Sequence, residues 1–268
     1  MMDVHRRLRR YIKLHIDLIT QSISNIDSGT IPALPASVQA KSLEHLYMIS
    51  HIERPDPATE RPACPPVMGD PAPGFRARTT MGERTLEDYR GRWLVLFSHP
   101  ADFTPVCTSE FLAFSRAHPR FQMLDCDLLG LSVDSLSSHL AWAHNIEERF
   151  GVRVPFPMLE DPSMAIARAY GMLPPGAVSS ATVRTTFVID PDGIIRASTT
   201  YPMTVGRSVE EILRLVAALQ VTDEADVVTP EAWRPGDPIL VAPPLTFHGA
   251  AARPEGEAGD WYFRTGTL

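Results

Sequence analysis

Paired cysteines are what this chain lacks. Its 268 residues hold three, Cys64, Cys107 and Cys126. The odd count, irregular spacing and missing Cys-x-x-Cys exclude a disulfide framework and a thioredoxin-type exchange pair, and favour a reducing, cytoplasmic setting. Positive charge is also short: 25 Lys and Arg stand against 32 Asp and Glu, a formal net charge of -7. No arginine cluster offsets that balance, so nucleic acid is not an expected partner. No apolar run reaches the length of a membrane span, and no membrane partner is expected. The nine histidines form no recognisable metal motif, and no glycine-rich phosphate loop is present. Neither a metal nor another cofactor is expected.

Proline is plentiful, and it punctuates the chain. Pro55, Pro57, Pro62, Pro65 and Pro66 form a linker-like segment after an N-terminal extension. Within the extension, Asp3 to Ile23 reads as a helix with Arg6, Arg7, Arg9, Arg10 and Lys13 at its front. That front has the charge of a transit peptide, but it is poor in serine and carries Asp3 and Asp17. The extension is taken as accessory or upstream of the functional start, with Met68 an internal candidate start. A second proline-rich stretch follows Thr229, with Pro230, Pro235, Pro238, Pro243 and Pro244 around Ile239-Leu240-Val241. It cannot form a core alone and needs a surface to lie on. The expected division is residues 1–66 as extension and linker, 67–228 as the main domain and 229–268 as a C-terminal arm.

Between these stretches, strand-like and helix-like runs alternate, as in an α/β fold. Trp93 to Phe97 and Leu128 to Val133 read as strands covered on both faces. Leu136, Leu140, Ala143 and Phe150 suggest one buried helix face. Asp161 with Pro162 suggests the start of another helix. Val209, Ile212, Leu213, Val216 and Leu219 give the cleanest amphipathic pattern.

The chemistry concentrates after the first of these strands, in Ser98-His99-Pro100-Ala101-Asp102-Phe103-Thr104-Pro105-Val106-Cys107. Thr108 to Arg116 reads as helix, which puts Cys107 at a positive helix end where free N–H groups favour a thiolate. Thr104 can offer the sulfur a hydroxyl that donates and accepts. Pro100 and Pro105 stiffen the loop.

The run Pro100 to Thr104 to Cys107, followed by Glu110, resembles the peroxidatic site of the peroxiredoxins. Ser98-His99 and the tail Thr229 to Asp237 look like the one-cysteine, long-arm subfamily, of the peroxiredoxin 6 type, and the resemblance runs from about Gly69 to the C-terminus. It implies a thioredoxin-like fold with a C-terminal dimerisation arm, hence a homodimer or higher homo-oligomer. It also maps Arg184 onto the family's active-site arginine, Arg207 onto the subfamily's second arginine and His99 onto the histidine before the active-site proline. A planar guanidinium donates to two acceptors at once, so such an arginine can hold a thiolate and polarise an O–O bond, with Glu110 orienting it. The chain departs from members with a Gly-x-Ser-x-Gly run: it reads Tyr89-Arg90-Gly91-Arg92-Trp93, with Arg92 where the serine would fall. No associated lipase-like activity is expected.

The resemblance therefore implies a thiol-dependent peroxidase for hydrogen peroxide and organic hydroperoxides, cycling through a sulfenic acid on Cys107 that an external thiol reduces. Cys126 reads as a buried strand cysteine, and Cys64 as a linker cysteine with no mapped counterpart. Two other readings use the same sulfur: a peroxide sensor or holdase-like interaction protein, and a thiol-disulfide adaptor, which the missing second cysteine disfavours.

Overall fold

The computed structural model describes residues 65–173, 176, 179–253 and 260–267. The expectations for the Asp3 to Ile23 helix, for the linker before Pro65 and for Cys64 lie outside these residues. The framework is a seven-stranded sheet built from β1 (Arg76–Thr79), β2 (Gly82–Thr85), β3 (Trp93–Ser98), β4 (Cys126–Ser132), β5 (Met158–Glu160), β6 (Arg184–Ile189) and β7 (Ile195–Tyr201), in the order β2-β1-β5-β4-β3-β6-β7. The helices are α1 (Pro105–Met123), α2 (Leu136–Phe150), α3 (Ala165–Ala169), α4 (Val209–Glu224) and α5 (Phe247–Ala251).

β3 lies at the heart of the sheet and all six of its residues are buried, which explains its unbroken apolar run. Its side chains alternate between two cores. Trp93, Val95 and Phe97 join Phe111, Phe114, Trp142, Ile146, Ile212 and Val216 from α1, α2 and α4. Leu94 and Leu96 join Leu86, Tyr89, Ala167 and Tyr170. Each fully buried Phe or Leu contributes about 1.5–3 kcal/mol relative to exposure, so the two faces together fix the strand's register. Gly130 of β4 has a packing reason: a Cβ there would stand 3.1 Å from the Phe111 ring. A side chain there would require that ring to give way by a few tenths of an ångström.

Three sequence expectations shift. The helix after β3 begins at Pro105 rather than Thr108, because proline at the first helical position gives up no hydrogen bond and comes with its φ preset. On α2 the buried residues are His139, Trp142 and Ile146, whereas Leu140 and Phe150 are each 50% exposed. A polar histidine and the larger indole took the inward face that the aliphatic pattern suggested. Asp161 does accept a helix N–H, from Ala167 at 2.7 Å, but the helix starts at Ala165 with Pro162 in the preceding turn. The expected amphipathic helix is α4, burying Val209, Ile212, Leu213 and Val216.

After α4, β8 (Val227–Val228), β9 (Ile239–Val241) and β10 (Thr265–Gly266) make a small antiparallel sheet. Trp233 and Ile239 pack on Ala217 and Ala218 of α4, and the indole N–H of Trp233 donates to the Asp237 carbonyl at 3.1 Å. This front part of the proline-rich stretch thus finds its surface on its own chain. Farther on, Leu245 and Phe247 are almost fully exposed.

Candidate active site

The sheet order explains why the sequence-distant Cys107 and Arg184 meet. β3 runs antiparallel to β6, pairing Phe97 with Thr186, so the loop leaving the end of β3 sits beside the beginning of β6. Ser98 staples the two: its hydroxyl donates to the Val183 carbonyl at 2.6 Å and accepts from the Thr185 N–H at 3.1 Å. Arg184 is the first residue of β6 and Cys107 lies in the first turn of α1.

Cys107 is fully buried, and Arg184 is 2% exposed. Arg184 Nη1 lies 3.3 Å from Cys107 Sγ and 2.8 Å from Glu110 Oε2. Its other face is fixed by the Met203 carbonyl, which accepts from Nε at 3.1 Å and Nη2 at 2.8 Å. The guanidinium is therefore held against the sulfur by two groups that are not substrate, the Glu110 carboxylate and the Met203 carbonyl. Arg207 does not hydrogen-bond the sulfur. It donates to Glu110, to the Thr185 carbonyl at 3.2 Å and to Thr186 Oγ1 at 3.2 Å, and its guanidinium carbon sits 5.3 Å from the centroid of the Phe97 ring. Burial alone would push the Glu110 carboxyl up, but hydrogen bonds and charge from Arg207, with the charge of Arg184, hold it below the usual carboxylate range. One carboxylate between two guanidiniums leaves a net positive charge beside the sulfur.

Thr104 caps α1 in extended geometry. Its hydroxyl donates to the Ala101 carbonyl at 2.9 Å, so the oxygen's lone pairs are what remain for a ligand. Pro100 is buried where the chain leaves the sheet. His99 does not hydrogen-bond Cys107: its Nε2 is 2.9 Å from Asp102 Oδ1, its Nδ1 has no hydrogen-bond partner, and its ring packs edge-on against Phe111 and tilted against Trp142. Burial depresses the His99 imidazole, and Asp102 only partly offsets that.

The sequence reading missed Asp102 and His139. His139 Nδ1 is 2.8 Å from Asp102 Oδ2, making a buried His99-Asp102-His139 cluster whose ligand atoms lie within 4.8 Å of one another. The ring nitrogens that face Asp102 are engaged with it, as hydrogen-bond partners of one carboxylate. The spacing of His99 and Asp102 was visible in sequence, but nothing local tied His139 to them. The Met203 carbonyl was missed as well, since a backbone acceptor leaves no residue-type signal.

Cys126, at the start of β4, is buried, and burial pushes its thiol well above the ordinary range. That suits an inert core cysteine. No helix among the described residues is long and apolar enough to cross a membrane.

Comparison with known proteins agrees with this geometry. Residues 68–198 match the AhpC/TSA family and residues 218–256 the C-terminal domain of 1-Cys peroxiredoxin. A peroxiredoxin 2 of Caldanaerobacter subterraneus subsp. tengcongensis is 47% identical over 203 residues, covering 74% of this chain and 92% of its own. A peroxiredoxin of Aquifex aeolicus is 47% identical over 210 residues, covering 74% and 95%. Among solved structures, a yeast mitochondrial 1-Cys peroxiredoxin superposes with a TM-score of 0.66 at 40% identity, covering 74% of this chain and 97% of its own. A mutant of the peroxiredoxin 6 of Arenicola marina gives 0.66 at 33% identity, covering 75% and 97%. The α/β architecture is accordingly the thioredoxin-like one, and the chain belongs to the peroxiredoxin family of thiol-dependent peroxidases.

Proposed function

We propose that Cys107 is the sulfur that takes the peroxide oxygen, on the strength of one observation above all: the Arg184 guanidinium, fixed by Glu110 and Met203, donates to a buried sulfur in the first turn of a helix. The thiolate attacks one peroxide oxygen, the S–O bond forms as the O–O bond breaks, and the leaving oxygen takes up a proton equivalent to the one the thiol released on ionising and departs as water or alcohol. Cysteine is thereby oxidised to sulfenic acid and the peroxide reduced. Arg184 offsets the charge that moves from sulfur to the leaving oxygen. Thr104, its own proton committed to Ala101, accepts the peroxide O–H and sets the line of attack. Pro100 belongs with Cys107, Thr104 and Arg184 to the catalytic set, as the proline that stiffens the loop carrying Thr104 and Cys107; His99 supports that loop, and Glu110 with Arg207 fixes Arg184.

A thiol from outside then reduces the sulfenic acid, releasing water. The yeast relative's thiol resolution is described as proceeding via glutathione and thioredoxin systems, and the same class of reductant suits a sequence that carries no Cys-x-x-Cys pair. Because the sulfur is buried, the first turn of α1 must open before a bulky thiol reaches it. We place the peroxidase domain at residues 67–228 and the arm at 229–268, with a homodimer or higher homo-oligomer formed through the arm and a cytoplasmic setting. The deciding experiment is intact mass after one equivalent of hydrogen peroxide, with and without a thiol-blocking reagent. One oxygen gained on Cys107 supports the one-cysteine cycle, and loss of two hydrogens overturns it.

A further inference from the structure

We infer that His139, on α2, is a positioning residue for the Cys107 loop, acting through Asp102; this rests on the peroxidase reading of Cys107. Neither residue hydrogen-bonds the sulfur, yet together they anchor the segment that carries Thr104 and opens α1. The Asp102 side chain accepts from both imidazoles. Its backbone N–H donates to Asp134 Oδ2 at 3.0 Å, and Ser132 Oγ holds the same oxygen at 2.7 Å. The loop is thus moored from the end of β4 through its backbone and from α2 through its side chain.

The anchor itself is rigid. His139 is fully buried, with Nδ1 on Asp102 and Nε2 3.2 Å from the Leu159 carbonyl of β5, so the ring is wedged between the loop and the sheet. Burial would raise the Asp102 carboxyl, but hydrogen bonds from His139 and His99 outweigh it and keep the group an acceptor.

What the mooring opposes is visible one residue later. Phe103 has φ of 55°, a left-handed conformation that a bulky side chain adopts only under constraint, and the residue is 56% exposed, so its own burial does not supply that constraint. Asp102, held from two elements, does. On the far side of this turn Thr104 bonds back to Ala101, and its carbonyl accepts both the N–H and the hydroxyl of Thr108, at 2.9 and 2.8 Å. Release of Asp102 would let the turn relax and carry Thr104 and the first turn of α1 away from Arg184.

The test compares full-length variants by stopped-flow rates with hydrogen peroxide and by the rate of Cys107 alkylation. His139→Leu removes the donor to Asp102 and should slow the peroxide step roughly ten- to hundredfold, the scale on which a small displacement of a reacting group acts. His139→Asn restores a donor where Nδ1 stood and should return to within about threefold of the parent. Tyr170→Phe, which removes the buried hydroxyl that donates to the Pro73 carbonyl at 2.7 Å, is the control for general loss of stability and should react at the parental rate. His139→Leu reacting like the parent, or His139→Asn as slow as His139→Leu, would overturn the assignment. Where His139→Leu does not fold, Asp102→Asn takes its place: slowed with His139→Asn near parental supports the anchor, and any other pattern of the two refutes it. Should the parent consume no peroxide, the peroxidase reading fails, while the alkylation rates of the same variants still decide the anchor.

Discussion

Arg207 grips Glu110 with three donors: its backbone N–H at 2.7 Å and Nε at 3.0 Å meet Oε1, and Nη2 at 2.8 Å meets Oε2. The second arginine of the site thus works on the carboxylate rather than on the sulfur. Glu110→Gln would leave two buried guanidiniums short of their counter-charge. Removing one partner from a buried pair typically costs about 3–5 kcal/mol. We expect a loss of that size in urea unfolding together with a slower peroxide step, and an unchanged unfolding midpoint would show that Glu110 is not the hub of the pair.

The cysteines separate cleanly by environment. Cys107→Ser should abolish peroxide turnover, since a hydroxyl lacks the acidity and nucleophilicity of the sulfur. Cys126→Ser should leave turnover with a small external thiol nearly intact, because the Cys126 thiol is buried in the core at β4. Turnover surviving in Cys107→Ser would remove the basis of the whole site.

Arg184 acts through charge and through shape, and substitutions can part the two. Lysine keeps the charge but cannot span Cys107, Glu110 and Met203 as the planar fork does. Arg184→Lys should therefore slow the peroxide step and retain some activity, and Arg184→Met should slow it further. A charge-assisted hydrogen bond of about 1.5–3 kcal/mol corresponds to roughly a ten- to hundredfold change in rate. Equal peroxide rates in parent and Arg184→Met would reduce the contact with the sulfur to packing.

Stability should fall with acid in two stages. Burial depresses His99, and depresses His118 as well, so the unfolded chain takes up their protons at about pH 6.5 while the folded protein lags. The unfolded state then binds more protons, and stability declines as pH drops below that value. Glu110 and Asp102 have folded values held below the usual carboxylate range. Their contribution is complete above the unfolded carboxylate pKa of about 4 and is lost as pH falls through the folded values. Urea midpoints from pH 8 to 3 should show a plateau, a shallow fall below about 6.5 and a steeper one below about 4. A flat profile from pH 7 to 5 would mean that the folded protein protonates these histidines as readily as the unfolded chain does.

Much of this site was legible along the chain because its central piece is local. Pro100, Thr104 and Cys107 follow β3 within one loop and the first turn of α1, so residue type and spacing carried them, while the role of Glu110 came with the family resemblance. Arg184 and Arg207 needed the family resemblance, since their place beside Cys107 and Glu110 depends on the antiparallel pairing of β3 with β6. His139 was beyond reach. A histidine at a helix position reads as polar and outward, and only the meeting of α2 with the loop after β3 turns it inward onto Asp102. The same competition misled the aliphatic pattern on α2, where Leu140 stays outside and Trp142 goes in.

The final prediction concerns Thr104, whose hydroxyl proton is already spent on the Ala101 carbonyl. Only lone pairs remain on its oxygen, so toward a peroxide it can accept a hydrogen bond and cannot donate one. Thr104→Ser keeps that oxygen and its bond to Ala101 and should stay within about threefold of the parental rate with hydrogen peroxide. Thr104→Val keeps the branched shape but presents a methyl group to the peroxide O–H. Leaving a desolvated polar group without its partner costs about 1–3 kcal/mol, or roughly a ten- to hundredfold loss in rate. Because Val is β-branched like Thr, the extended N-cap geometry and the start of α1 should survive, which circular dichroism and the rate of Cys107 alkylation would check. If Thr104→Val alkylates and reduces peroxide as fast as the parent, the hydroxyl serves only to close the loop onto Ala101, and the peroxide must be aligned by Arg184 alone.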